Sequence, residues 1–176
     1  ALLLFLRFSR GELSLANLHR EVFQRILKGL YLRDLEEAAH RFLSLSLNRL
    51  LREDIFQLCQ EAKQRGSVVC LLSSSPTFLV QKVAHLLSFD LAAGTQYAID
   101  KEGRLCDIAS LITGPEKREF AKQWVEARGA FAENAIAYAD SCDDLPLLEW
   151  VGVAIAVSPD KALRQVAEFK NWKIIP

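Results

Sequence analysis

The sequence contains no methionine, no excess of charge of either sign, no closely spaced cysteine pair and no long apolar run. Lys plus Arg and Asp plus Glu both number 22, so the formal net charge is zero. No nucleic-acid or anionic-membrane partner is therefore indicated. The four cysteines show no CxxC spacing, which predicts reduced thiols in a cytoplasmic protein.

The chain opens on ALLLFLRF, an apolar stretch that is too short to span a bilayer. No basic segment precedes it and no cleavage site follows it, so it does not have the form of a signal peptide. We predict no membrane span here and a segment that faces the core. Because the chain starts in the middle of a pattern and has no methionine, we expect a native start upstream of Ala1.

Length and composition favour one domain that carries a small insert. The chain has 176 residues, of which 51% are hydrophobic and 25% are charged. Those proportions are ordinary for a globular protein with a full core. No internal repeat, low-complexity tract or flexible linker divides the sequence, and nothing in it indicates an oligomeric state.

Residues 12–66 show helical periodicity and no strand signal. Apolar residues recur at three- and four-residue steps over 14–30, 32–47 and 53–65. Ser14 suits an N-cap, and Gly66 suits the end of the third helix. This third of the chain is predicted to form a small helical bundle.

From residue 67 onward, strand and helix patterns alternate. Buried strands are predicted at 67–72, 135–139, 153–157 and 173–175, with a short strand at 91–93 and a hairpin over 97–108. Helices are predicted at 77–87, 115–128, 145–150 and 161–170. Strands that alternate with helices favour an α/β fold with a parallel sheet and helices on both faces.

The most informative stretch is AIAYADSCDDLPLLEWVGVAIAV, residues 135–157. Its first strand ends in three carboxylates, Asp140, Asp143 and Asp144, at the edge where open α/β sheets bind ligands. Carboxylates this close repel one another unless a hard cation neutralises them, and Mg²⁺ is the usual occupant. The alternative is a solvated turn that caps the following helix. We favour the metal site because two buried strands hold the loop rigid.

Two further segments carry chemistry that suits a phosphate. Ser73 and its neighbours, in SSSP, follow a predicted strand and precede a helix, where hydroxyls and backbone N–H groups bind phosphate well. Simple N-capping by Ser75 is the alternative. Lys117 lies in a first helical turn, against the helix dipole, so we expect it to pair with phosphate or with carboxylates. A solvated lysine is the alternative there. A hydroxyl, a lysine and a bound Mg²⁺ suit phosphoryl transfer.

The segments SVVCLLSSSP, GPEKREF and AYADSCDDLPLLEWVGVAIAVSPDKALRQVA resemble motifs II, III and IV of the haloacid dehalogenase superfamily. The chain is most similar to the branch that includes phosphoserine-phosphatase-like hydrolases. The resemblance implies a Rossmann-like core formed by residues 1–11 and 63–176, with a helical cap at residues 12–62. It also implies Mg²⁺-dependent hydrolysis of a small phosphorylated metabolite through an aspartyl-phosphate.

The resemblance also implies individual roles. Ser73 would bind the transferring phosphate, with Ser74 beside it, and Lys117 would steady the phosphate and the nucleophile. Asp140 would hold Mg²⁺ directly. Asp144 would support the metal, and Asp143 would form hydrogen bonds near the phosphate. Ser74 and Ser75 stand where phosphoserine phosphatases commonly have glycines.

The family's first motif, Asp-x-Asp-x-Thr, is absent from the 176 residues. In the family it supplies the nucleophile and the general acid/base. We expect it upstream of Ala1, at the end of an apolar strand placed between the strands that end at Ser73 and Asp140. The first aspartate would attack the phosphorus, and the second would protonate the leaving alkoxide and later activate water.

Two other classes of protein use similar residues. A receiver-like signalling domain also combines carboxylates, a hydroxyl, a lysine and Mg²⁺, but it places the acidic pair early and the lysine last. Here the acidic cluster follows Lys117, which disfavours that reading. A non-catalytic relative that binds a phosphorylated ligand or a partner protein differs from the enzyme only in the missing first motif.

Overall fold

The computed structural model describes residue 8 and residues 12–176. Apart from residue 8, the opening segment ALLLFLRF lies outside these described residues, and what is predicted for it stays a prediction. The chain divides into two compact units, Ala1–Leu111 and Ile112–Pro176, each of which is considered by itself. The division predicted from the family resemblance, a cap at 12–62 and a core formed by the rest, stays a prediction.

The first unit begins with helices, as the periodicity predicts. Ser14 caps helix α1 (Leu15–Val22), and its hydroxyl accepts a hydrogen bond from the Asn17 amide at 3.3 Å. A π-helical turn continues α1 and brings Phe23, which is fully buried, against the ring of Tyr97 at a centroid distance of 5.3 Å. The helical elements are α1 (Leu15–Val22), the π-helical turn (Phe23–Leu27), α2 (Leu32–Leu50) and α3 (Glu53–Gln64).

The first strand differs from its prediction. The structure places β1 at Cys70–Pro76, so the strand predicted at 67–72 starts three residues late and includes the serines expected in a loop. Val69 precedes the strand because its amide donates to the Asp90 carboxylate at 2.8 Å instead of to a neighbouring strand. Capping by Ser75 is also wrong, since the residue before helix α4 (Thr77–Leu86) is Pro76.

Two more strands complete the sheet of the first unit. Strand β2 (Leu91–Ile99) pairs in parallel with β1 and antiparallel with β3 (Leu105–Ser110). The short strand predicted at 91–93 and the first strand of the predicted hairpin are therefore one continuous strand, β2. Strand β3 is the second strand of that hairpin. The turn at Gly103, with φ +82°, closes the hairpin as predicted.

The second unit alternates helix and strand. Its three strands are all parallel, with Ile136 opposite Val153 and Ile155 opposite Lys173. Helices α6 (Leu145–Leu148) and α7 (Lys161–Phe169) contribute Leu148 and Leu163, both almost fully buried. The elements are α5 (Gly114–Glu126), β4 (Ile136–Ala139), α6 (Leu145–Leu148), β5 (Val153–Val157), α7 (Lys161–Phe169) and β6 (Lys173–Ile175).

The predicted fold class is confirmed: the protein is α/β with parallel strand pairs and helices between them. The described strands form two sheets of three, one in each unit, where the sequence predicted a single sheet. None of the four cysteines, all of which are described, forms a disulfide. Over residue 8 and residues 12–176, every helix is too short or too polar to cross a membrane.

Candidate active site

The acidic loop, defined as residues 140–144, follows β4 directly. Ala139 pairs with Ala156, so the loop lies at the edge where the parallel strands of this unit end. The hydroxyl of Ser141 accepts from the Asp143 amide at 3.3 Å and starts a short 3₁₀ turn. That turn leads into α6 without a break. A hydrogen bond within the chain therefore supports the start of this turn.

The carboxylates of the loop differ in burial. Asp140 and Asp143 are exposed, whereas Asp144 is only 9% exposed. Lys117, in the first turn of α5, is 8% exposed, and its Nζ donates to Asp144 Oδ1 at 2.6 Å. The alternative interpretation of Lys117 as a solvated lysine is therefore wrong. Two desolvated charges compensate each other here, and removal of either would leave the other buried alone.

The start of α5 also touches the acidic loop through its backbone. A Cβ atom added to Gly114 would lie 1.7 Å from the Asp143 carbonyl oxygen, which is far inside contact distance. Only glycine therefore allows the helix to approach the loop this closely. Thr113 and Glu116 form a capping box, in which the Thr113 amide donates to Glu116 Oε2 at 3.0 Å. The hydrogen bonds from Thr113 outweigh burial and lower the pKa of Glu116.

A fourth aspartate, Asp160, also contacts the loop. Its Oδ2 accepts from the Cys142 amide at 2.9 Å, and its Oδ1 accepts from the Leu163 amide at 2.7 Å at the start of α7. Its own amide donates to the Asp140 carbonyl at 2.8 Å. Burial alone would raise the pKa of Asp160, but the hydrogen bonds from Leu163, Cys142 and Ser141 outweigh it and lower that pKa.

The residues fit a hard divalent cation in kind. Asp140 is exposed at the loop, and Asp144 uses one carboxylate oxygen for Lys117, which leaves the other oxygen. Mg²⁺ is commonly held by one or two carboxylates, with waters and substrate oxygens completing its shell. In the described part of the chain, no three His, Cys, Asp and Glu side chains gather into a metal-binding group.

The serine segment belongs to the first unit. The Ser75 amide donates to Ser73 Oγ at 3.2 Å, and the buried Thr95 hydroxyl donates to the Ser74 carbonyl at 2.8 Å. The Ser74 hydroxyl is buried and has no hydrogen-bond partner among the described residues. A buried hydroxyl without a partner is costly, so its position calls for one. Phosphate binding by Ser73 and Ser74 stays a prediction.

The structure brings together Lys117, Asp143 and Asp144, and it places Asp140 in the same loop. Sequence reasoning missed Gly114 and Asp160. Asp160 could have been noticed as an N-cap signal, since Ser-Pro-Asp precedes an apolar helical pattern. No local signal marks Gly114, because its role depends on a backbone 29 residues further along the chain.

Comparison with known proteins places these features in a family context. The family model described as haloacid dehalogenase-like hydrolase matches residues 2–149. The histidinol-phosphatase of Neisseria meningitidis serogroup C is 30% identical over 125 residues, which cover 67% of this chain and 55% of that protein. The chain spans about half the length of the curated relatives it matches, between 40% and 57% for three of them.

Solved structures agree on the fold. A protein of unknown function from Bordetella pertussis Tohama I superposes with a TM-score of 0.84 at 21% identity, covering 98% of this chain and 79% of that chain. A phospho-aspartyl intermediate analogue of phosphoserine phosphatase superposes with a TM-score of 0.72 at 20% identity, covering 98% and 77%. At these identities the likeness shows the fold alone.

Proposed function

Because the chain belongs to the haloacid dehalogenase-like hydrolase family, we propose that the protein is a Mg²⁺-dependent phosphatase acting on a small phosphorylated metabolite. The observation that carries the proposal is the buried ion pair between Lys117 and Asp144 at the acidic loop. Burying a lysine is costly even when a carboxylate pairs with it, so its presence at the rim of a parallel sheet favours a functional role. Neutralising phosphate charge is such a role.

Each residue of the site has a proposed part. Asp140 and Asp144 would hold the cation, whose chemistry is to neutralise the phosphate oxygens as the bond to the leaving group breaks. Lys117 supplies a fixed positive charge beside them, and Asp143 would form hydrogen bonds to the phosphate. Ser73 and Ser74 would bind phosphate oxygens through hydroxyl and amide groups.

An aspartyl-phosphate route needs a nucleophile apart from these carboxylates. A carboxylate engaged by a cation or by Lys117 has its lone pairs occupied, which makes it a poor nucleophile. We propose that the Asp-x-Asp motif expected upstream of Ala1 supplies both the attacking aspartate and the general acid/base. The phosphatase relative and the phospho-aspartyl neighbour support this route.

The direct test is hydrolysis of a generic aryl phosphate by the full-length protein. We expect Mg²⁺-dependent release of inorganic phosphate, because catalysis of this kind depends on neutralising developing charge. Turnover should disappear when the cation is chelated and return when it is restored. Finding the upstream motif without its first aspartate, together with no turnover, would instead favour a relative that binds phosphate without hydrolysing it.

Metal binding has a separate readout in thermal stability. Saturating Mg²⁺ should raise the melting temperature, since a ligand of the folded state at a hundred times its Kd adds about 2.7 kcal/mol. That gain corresponds to several degrees, at about 2–4 °C per kcal/mol for a domain of this size. Asp140→Asn should remove most of the gain.

The matched control is Asp107→Asn, which changes an exposed aspartate in the first unit and should keep the full gain. Both variants must be measured with and without Mg²⁺, because removing a carboxylate also relieves repulsion in the metal-free protein. A wild-type melting temperature that does not respond to saturating Mg²⁺ would contradict the metal assignment.

A further inference from the structure

Asp160 contacts more of the acidic loop than any sequence pattern indicates. Its carboxylate accepts a hydrogen bond from the Cys142 amide at 2.9 Å. Its amide donates to the Asp140 carbonyl at 2.8 Å. Asp140 and Cys142 are thus both hydrogen-bonded to Asp160.

The geometry of this arrangement needs a carboxylate in particular. Two of the hydrogen bonds go to different oxygens, Oδ2 from Cys142 and Oδ1 from Leu163, so one side chain serves the loop and the start of α7 together. An ionised carboxylate has about four acceptor positions and no donor, so it can receive several N–H and O–H groups at once. Serine or asparagine could cap the helix with one oxygen, but neither could accept on both sides.

We propose that Asp160 is a positioning residue, which fixes the acidic loop in its working geometry by clamping it to the first turn of α7. The inference rests on the proposed function, since it assigns the loop a catalytic task. Asp160 contacts the loop through the backbone of Asp140 and Cys142, so it acts by fixing the position of the Asp140 carboxylate. Gly114 and Lys117 of α5 contact the loop at its other end, at Asp143 and Asp144.

The two hydrogen bonds that the Asp160 carboxylate accepts, from the Leu163 amide and from the Cys142 amide, can be tested separately. Asp160→Ser and Asp160→Asn each keep an oxygen for the Leu163 amide, so α7 retains its cap, but each loses the second acceptor that Cys142 uses. Ser14→Ala is the control, since it removes the cap of α1, a single bond of the same type between Ser14 and the Asn17 amide. The full-length protein carries each substitution, with turnover of an aryl phosphate, melting temperature and amide hydrogen exchange as the readouts.

We expect Asp160→Ser and Asp160→Asn to lower kcat by about ten- to a hundredfold, since a misplacement on the order of 1 Å costs this much. Their melting temperatures should fall no further than that of Ser14→Ala, whose kcat should stay within about twofold of wild type. Exchange of the Cys142 amide should accelerate by at least about tenfold in the Asp160 variants alone, because its acceptor is gone.

Two results would overturn the proposal that Asp160 positions the acidic loop. One is unchanged exchange at Cys142 in the Asp160 variants, and the other is a kcat within twofold of wild type in an active enzyme. A wild-type protein without turnover would instead refute the proposed function. The exchange comparison would then still decide whether Asp160 fixes the loop, so the two failures are distinguishable.

Discussion

Replacing Lys117 with methionine is expected to cost about 3–5 kcal/mol of unfolding free energy, because it leaves the Asp144 carboxylate buried without its partner. The two side chains are only 10% and 12% exposed, so solvent cannot take over the role of Lys117. Denaturant titration of the wild type and the variant measures the loss. Activity should fall at least about a hundredfold in the same variant, since a fixed charge beside the phosphate is removed.

The double variant Lys117→Met/Asp144→Leu separates structure from function. Replacing a buried ion pair by apolar side chains of similar volume is often neutral or stabilising, so we expect most of the lost stability to return. Activity should not return with it. A double variant that is both stable and active would show that the pair is structural only.

Lys122→Met is the matched control on the same helix. Its ion pair with Glu126 spans 4.0 Å between side chains that are 45% and 62% exposed. Exposed pairs of this type contribute less than about 1 kcal/mol, so both stability and turnover should stay near wild type. A loss at Lys122 as large as that at Lys117 would mean that burial does not explain the effect.

The second large effect is expected from Gly114→Ala, a change of one methyl group. The added Cβ would lie 1.7 Å from the Asp143 carbonyl oxygen and 3.2 Å from Pro146 Cδ. Both the first turn of α5 and the 3₁₀ turn of the loop are backbone, so relief requires one of them to move. We expect a cost of about 1–3 kcal/mol, as for overpacking elsewhere, and a loss of turnover of about a hundredfold.

Gly129→Ala distinguishes steric overlap from a general intolerance of alanine. Gly129 has φ +64° and nothing within 4 Å of an added Cβ, so its replacement strains the backbone without meeting a neighbour. The expected cost is about 1–2 kcal/mol, with turnover retained. If Gly114→Ala kept turnover within a fewfold of wild type, the close approach of α5 to the loop would not matter for activity.

The sequence predicts the elements of this protein well wherever the signal is local. Periodicity gives α2 and α3 to within a few residues, and two buried apolar runs give β4 and β5. The place of the acidic loop follows from those strands, because it directly follows one of them. The position of Lys117 against the helix dipole predicts that it pairs with phosphate or with carboxylates, and the structure shows the pair with Asp144.

What the sequence does not predict depends on partners that are distant along the chain. The bounds of β1 are set by its register with β2 and by the Asp90 side chain, which takes the Val69 amide. The need for glycine at 114 comes from the Asp143 carbonyl, and the several bonds of Asp160 come from a loop 18 residues earlier. Such contacts exist only after the chain has folded, so no window of sequence contains them.

The buried ion pair at the acidic loop also limits how the protein can evolve. A lineage that replaced the Lys117–Asp144 pair by two apolar residues would pass through a single substitution that costs about 3–5 kcal/mol. Natural proteins have about 5–15 kcal/mol of stability in total, so that intermediate lies near the threshold for folding. Even a descendant that no longer needed the chemistry would therefore tend to keep both charges, and drift at these two positions should be slow long after selection on activity has ended.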